Sequence, residues 1–210
     1  MLAIQGLINI VITGVGGQGN VLASQVLAHA AAGQGFQVTV GETFGASQRG
    51  GSVMSHVRLG RQACLGPLIP RGRADIVLGL EPLETLRILR EYGNPETMVL
   101  MNTRPVYPLG VLRGEMQYPS LEVLVEAIRR QSRLVQTIEA SHLAIEAGNP
   151  VVANMVMVGA LVGSRLIPLG EGDFSPVIAA QFKGEAASLN FKAFQMGLAA
   201  ARPMELGRVV

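Results

Sequence analysis

The chain has 210 residues, 49% of them apolar and only 15% charged, with a formal net charge of +2. That length is enough to bury one substantial core, while the small charge, the lack of a Lys/Arg run and aromatics at 4% without Trp argue against nucleic acid. A single cysteine, Cys64, excludes an internal disulfide framework and cannot by itself hold a structural zinc or an iron–sulfur cluster.

Met1 to Gly6 lacks the positive n-region of a secretory signal. Leu7 to Thr13 is a β-branched run that reads as a buried parallel strand. A glycine turn follows from Gly14 to Gly19, and Val21 to Ala32 has helical spacing with Leu22, Val26 and Ala30 on one face. Phe36 to Val40 is a second strand, completing a βαβ unit. After a long loop from Glu42 to Ser52, Val53 to Leu59 alternates apolar and polar residues as a half-exposed strand does. Strands are expected at Asp75–Leu80, Thr97–Met101 and Leu134–Ile138, and helices at Glu81–Tyr92 and Leu121–Gln131. Asn149 caps a further helix that begins at Pro150 and runs to about Arg165. Helical stretches near Pro176–Phe182 and Ala186–Ala200 follow. The apolar stretch Val151–Gly163 falls short of the roughly 20 residues a membrane span needs. A non-membrane, cytoplasmic location is the expectation. Alternating strands and helices predict an α/β fold, a Rossmann-like, mostly parallel sheet flanked by helices in a single domain over 1–210.

The turn Gly14-Val15-Gly16-Gly17-Gln18-Gly19 fits G-x-G-x-x-G between a strand and a helix, the context that gives the motif meaning. Such glycines admit a ligand close to the backbone, and the helix N-terminus offers free N–H groups to an anion. Glu42 ends the second strand, where a ribose-binding acid sits in a dinucleotide fold. On the motif alone, three readings stand: a dinucleotide, another phosphate ligand, or glycines that only permit tight packing. The loop Gln48-Arg49-Gly50-Gly51-Ser52 adds a guanidinium between glycine-rich stretches. In a doubly wound sheet the first two strands are neighbours, so both loops are expected to open into the same crevice. Arg49 can pair with a phosphate or with a structural carboxylate, and its setting favours a ligand or a subunit interface.

Together these loops resemble the γ family of 2-oxoacid:ferredoxin oxidoreductases, nearest the small subunit of the indolepyruvate type. The resemblance continues through Ser52-Val53-Met54-Ser55-His56-Val57-Arg58, Pro67-Leu68-Ile69-Pro70, Ala74-Asp75, Glu81-Pro82-Leu83-Glu84 and Asn102-Thr103-Arg104-Pro105, in that order. Asn154-Met155 and Gly159-Ala160 fit as well, so the match covers roughly residues 8 to 170. It implies a γ-type domain serving coenzyme A-dependent oxidative decarboxylation of a 2-oxoacid, with electrons passed to ferredoxin. It also implies that thiamine diphosphate and iron–sulfur clusters sit on a larger partner subunit. A thiamine-type G-D-G is absent, and Glu171-Gly172-Asp173 is a superficial echo.

Other polar residues have plainer readings. His56 in its alternating strand suits a packed or hydrogen-bonded histidine; His29 and His142 lack ligand-spaced companions. Glu81 suits a helix N-terminal carboxylate, Cys64 a small buried hydrophobe, and Met155 and Met157 core packing. Asn154 can bond a buried neighbour or the glycine turn. The expectation is therefore a subunit without catalytic residues or a metal of its own. Gly14, Gly16, Gly17, Gln18, Gly19, Gln48, Arg49, Gly50, Gly51 and Ser52 would face coenzyme A. Its expected partners are the larger subunit, ferredoxin through the complex, and a second copy of the chain. The rival is a stand-alone NAD(P)-binding oxidoreductase. Such an enzyme needs an acid–base pair in the second half, where Lys183 and Lys192 have no tyrosine at short spacing.

Overall fold

The computed structural model describes residues 6–42, 51–61 and 66–204. Gln48, Arg49, Gly50 and Cys64 lie outside the described residues. The strands are β1 (Ile8–Val15), β2 (Gln37–Glu42), β3 (Ser52–Gly60), β4 (Ile76–Gly79), β5 (Met98–Asn102) and β6 (Leu134–Ile138). The helices are α1 (Asn20–Gly33), α2 (Pro82–Tyr92), α3 (Leu109–Leu112), α4 (Leu121–Arg129), α5 (Ala140–Ala147), α6 (Ala153–Gly163), α7 (Glu171–Gln181) and α8 (Glu185–Ala200). A short 3-10 turn at Pro150–Val152 leads into α6. Among the described residues no helix is long and apolar enough to cross a membrane.

The sheet order is β2-β3-β1-β4-β5-β6. β1, β4, β5 and β6 pair in parallel, and β3 runs antiparallel to both β1 and β2. The mostly parallel α/β sheet is thus as expected, but β1 and β2 are not neighbours, because β3 lies between them. The same insertion corrects the half-exposed reading of β3. Its positions from Val53 onward are mainly buried, since it has a strand on either side and a covered surface on each face.

β1 is buried at all eight positions because helices cover both faces of the sheet. Ile8, Ile10 and Ile12 point into one core with α1 and α5 to α8. Val11 points the other way, into a smaller core with Val77, Val99, Ile88 and Ile128 from the α2–α4 side. α6 is buried from Asn154 through Val162, which explains its lack of an amphipathic pattern. It lies close against α8: a methyl on Gly159 would strike the Phe194 carbonyl, and one on Gly197 would strike that of Val156. This packing fixes the N-terminal end of α6 beside the glycine turn.

Candidate functional site: a cleft at the strand C-termini

β1, β4 and β5 end together, and the chain turns there into loops that no sheet neighbour covers. The end of β1 is stitched on both sides. Leu80 N donates to the Thr13 carbonyl at 2.7 Å, and Gly16 N donates to the Gly51 carbonyl at 2.8 Å. Val15 pairs with Ser52 in the ladder. The glycine turn and the end of the second loop therefore do meet, through the inserted β3 rather than through adjacency of β1 and β2.

The turn uses several of its own donors. Gln18 folds back into it: its Oε1 accepts from Val15 N at 2.7 Å, and its Nε2 donates to the Leu80 carbonyl at 3.1 Å. Gln18 N donates to the Val15 carbonyl. Gly14 is required by this fold-back, since a Cβ there would sit 2.6 Å from Gln18 Oε1. With the Val15, Gly16 and Gln18 N–H groups occupied, what remains for an anion is the first turn of α1. Gly19 caps that helix in the left-handed region, with no side-chain cap and no acidic residue in the first turn. The N–H groups of Asn20, Val21 and Leu22 have no acceptor among the described residues. A helix end left this way favours negative charge.

Asn154 binds the turn from the opposite wall. Its Nδ2 donates to the Gly19 carbonyl at 3.2 Å. Between these walls opens a cleft of about 320 Å³. Gly17, Gln18, Asn102, Arg104, Ser141 and Asn154 form its polar side. Asn102 is held rigid: its Nδ2 donates to the Leu80 carbonyl and to Ser141 Oγ, and its Oδ1 accepts from Ser141 N. Arg104 is exposed and has no hydrogen bond or ion pair among the described residues. Val106, Ile145, Val151 and Met157 supply an apolar side. Sequence reasoning did not single out Asn102, Arg104 or Ser141 as functional. The Asn102-Thr103-Arg104-Pro105 segment stood out only as part of a resemblance, and Ser141 carries no local signal.

Glu81 is an N-cap, as the plainer reading expected. Its Oε2 accepts from Glu84 N at 2.8 Å, and it is almost wholly buried. Its Oε1 accepts from Val106 N at 3.3 Å and from the Tyr118 hydroxyl. Burial and the Glu81 carboxylate raise the Tyr118 phenol well above its ordinary range. His56 is a packed residue: Nδ1 accepts from Ile69 N, and the ring meets Tyr92 edge-on at 5.0 Å. Burial, and then the Arg58 charge, lower its pKa. His29 is exposed, and exposed His142 lies 3.5 Å from Glu146 on its own helix.

Glu42 does not occupy a ribose position beside β1. It sits two strands away, with Ser24 Oγ donating to it at 3.3 Å. The inserted β3 and the Gln18 fold-back both differ from what a dinucleotide site needs.

Residues 9–200 match the family model described as pyruvate ferredoxin/flavodoxin oxidoreductase. The chain is 40% identical over 190 residues to the indolepyruvate oxidoreductase subunit IorB of Archaeoglobus fulgidus, covering 90% of this chain and 93% of that protein. Two solved structures share the fold. One is the gamma subunit of a keto/oxoacid ferredoxin oxidoreductase from Geobacter sulfurreducens, with a TM-score of 0.69 at 23% identity, covering 93% of this chain and 96% of that one. The other is the 2-oxoglutarate:ferredoxin oxidoreductase of Magnetococcus marinus, solved with 2-oxoglutarate, coenzyme A and succinyl-CoA, with a TM-score of 0.70 at 23% identity. It covers 96% of this chain but only 33% of that one. These likenesses support the ferredoxin oxidoreductase reading and not the stand-alone NAD(P) alternative. The chain belongs to the pyruvate ferredoxin/flavodoxin oxidoreductase family, among the small subunits of 2-oxoacid:ferredoxin oxidoreductases.

Proposed function

We propose that this chain is the small subunit of an indolepyruvate-type 2-oxoacid:ferredoxin oxidoreductase and forms part of its coenzyme A-facing wall. The observation that carries the substrate type is the 40% identity to an indolepyruvate oxidoreductase subunit across 90% of the chain. The reaction removes carbon dioxide from a 2-oxoacid, joins the remaining acyl group to the coenzyme A thiol, and passes two electrons to ferredoxin.

Thiamine diphosphate and iron–sulfur clusters belong on the larger partner subunit, where they supply the decarboxylation and the electron relay. The donor set of this chain does not suit a cluster, which is commonly held by four thiolates, because Cys64 is its single cysteine. What this chain contributes is binding and orientation. The first turn of α1 offers three N–H donors and a partial positive charge to a phosphate. Arg104 adds a full charge on the cleft that Gly17 and Gln18 line, and the Arg49 guanidinium of the Gln48-Arg49-Gly50 sequence is the further candidate for a phosphate. The Gly16–Gly51 bond joins Gly51 and Ser52 to the turn, which supports a site shared by the glycine turn and the end of the second loop. A cleft of about 320 Å³ holds one segment of coenzyme A, and the remainder lies against the partner. A cytoplasmic enzyme, with ferredoxin reached through the complex and a second copy of the chain in the assembly, completes this reading.

The test is substrate competition in the assembled enzyme. Ferredoxin or viologen reduction should require coenzyme A and proceed with a higher kcat/KM for indolepyruvate than for pyruvate. A preference for pyruvate would move the chain to another branch of the family.

A further inference from the structure

Apolar side chains left in water are spread singly over most proteins, so their clustering is informative. Here they gather on one excursion. Between β5 and α4 the chain leaves the sheet, and Tyr107, Leu109, Leu112 and Met116 stand exposed along it. α3 is built from Leu-Gly-Val-Leu and has no buried residue. Val106 at the start of the excursion shares the cleft with Ile145 and Val151, which are 54% and 70% exposed. The apolar face is therefore continuous with the mouth of the cleft.

This segment is not a loose loop. Both of its ends are fastened to one buried carboxylate, because Glu81 Oε1 accepts from Val106 N and from the Tyr118 hydroxyl. Tyr107 packs edge-on against Tyr118 at 5.2 Å. Glu115 N and Met116 N both return to the Gly110 carbonyl, and Pro105, Pro108 and Pro119 fix further backbone angles. Burying the Glu81 carboxylate is costly unless hydrogen bonds compensate, and Glu84 N, Val106 N and the Tyr118 hydroxyl supply them. Its bonds hold an exposed apolar surface in one shape, and a preorganised surface binds with less loss of entropy.

We propose that this excursion, with Ile145 and Val151, is the surface on which the larger, cofactor-bearing subunit docks, closing the mouth of the cleft. The inference rests on the subunit reading above. Two further observations choose this occupant over a second copy. In the Magnetococcus marinus enzyme the same fold is a third of one longer chain, so a body about twice its size is tethered to it. The face also adjoins the proposed coenzyme A cleft, which a partner carrying the reacting acyl group must reach. Arg113, exposed on the rim and without a carboxylate partner among the described residues, calls for an acidic group on the edge of that partner.

Leu112→Glu in the full chain tests this, with Met116→Glu as a second variant. The side chains are 68% and 65% exposed, so the thermal melt of the chain alone should not change. Affinity for the cluster-bearing larger subunit, followed by biolayer interferometry, should fall by about a hundredfold, the equivalent of about 2.8 kcal/mol at 1.4 kcal/mol per factor of ten. Val123→Glu, on the exposed face of α4, should bind as the wild type does. Wild-type affinity in both excursion variants overturns the assignment while leaving the subunit reading standing. Equal weakening by Val123→Glu also overturns it. So does a loss of self-association with binding to the larger subunit unchanged, which would give the face to a second copy. Failure of the wild-type chain to bind the larger subunit sinks both the assignment and the reading beneath it.

Discussion

Gly17 and Gly19 both have positive φ, at +102° and +83°, yet replacing them should have very different consequences. Gly17→Ala meets open space, since nothing lies within 4 Å of the added methyl. Its cost is backbone strain alone, about 1–2 kcal/mol. Gly19→Ala carries the same strain and also drives its methyl into Asn154, whose Nδ2 would be struck and whose Cγ would lie only 3.1 Å away. Asn154 is 3% exposed and cannot swing into solvent. The collision displaces its hydrogen bond to the Gly19 carbonyl, about 1 kcal/mol, and repacks the start of α6 at a further 1–3 kcal/mol, roughly. Gly19→Ala should thus destabilise by about 3–6 kcal/mol. For a chain of this size that lowers Tm by about 6–24 °C. Urea unfolding of the purified chain measures both variants. The double variant with Asn154→Ala isolates the collision, and the Gly19→Ala penalty should shrink by about 2–4 kcal/mol in that background, leaving the backbone strain. Equal penalties for the two glycines, or no coupling to Asn154, would refute the joining of turn and α6 through this contact.

Three further outcomes follow from named groups. Because burial and Glu81 hold the Tyr118 proton, the unfolded chain ionises first as pH rises through about 10, and stability should fall there. Tyr118→Phe should be less stable at neutral pH by about 1.5–3 kcal/mol and show a flatter alkaline limb in urea midpoints. The lowered pKa of His56 works in the acid direction. Its stabilising effect is complete above the unfolded value near 6.5 and is lost as pH drops below it, so the His56 imidazole signal in NMR should titrate below 6.5. Arg49→Ala in the assembled enzyme should raise the KM for coenzyme A by about ten- to a hundredfold and leave the KM for the 2-oxoacid unmoved. Dissociated subunits with unchanged coenzyme A affinity would make Arg49 an interface residue instead.

The first βαβ unit was legible because its signals are local. A β-branched run, six residues of glycine turn and a periodic helix need no distant partner to be recognised, and β1 and α1 fall within two residues of their expected bounds. β3 was misplaced for the opposite reason. Its alternating Met54, His56 and Arg58 look like a solvent face, but Met54 is half-buried against the smaller core, and His56 and Arg58 are buried with distant partners. Arg58 reaches Asn9 and the carbonyls of Gly66 and Leu68, and His56 takes the Ile69 N–H. No local pattern carries that register, nor the insertion of β3 between β1 and β2. α3 is four residues long and falls below any periodicity. The cleft was legible by half. Gly17 and Gln18 belong to a motif, whereas Asn154 reaches the turn from 135 residues away and Asn102 and Ser141 meet only in the fold. The Gln18 fold-back also lay beyond the motif, because G-x-G-x-x-G leaves that position open.

The central claim is that this chain completes a larger enzyme. Titrating the purified chain into its cluster-bearing larger subunit, and following coenzyme A-dependent ferredoxin reduction with indolepyruvate, tests it most directly. The account predicts that activity is absent from either component alone and rises to a plateau at one chain per larger subunit. Full activity of the larger subunit without this chain, or pyridine-nucleotide-dependent activity of this chain alone, would contradict it.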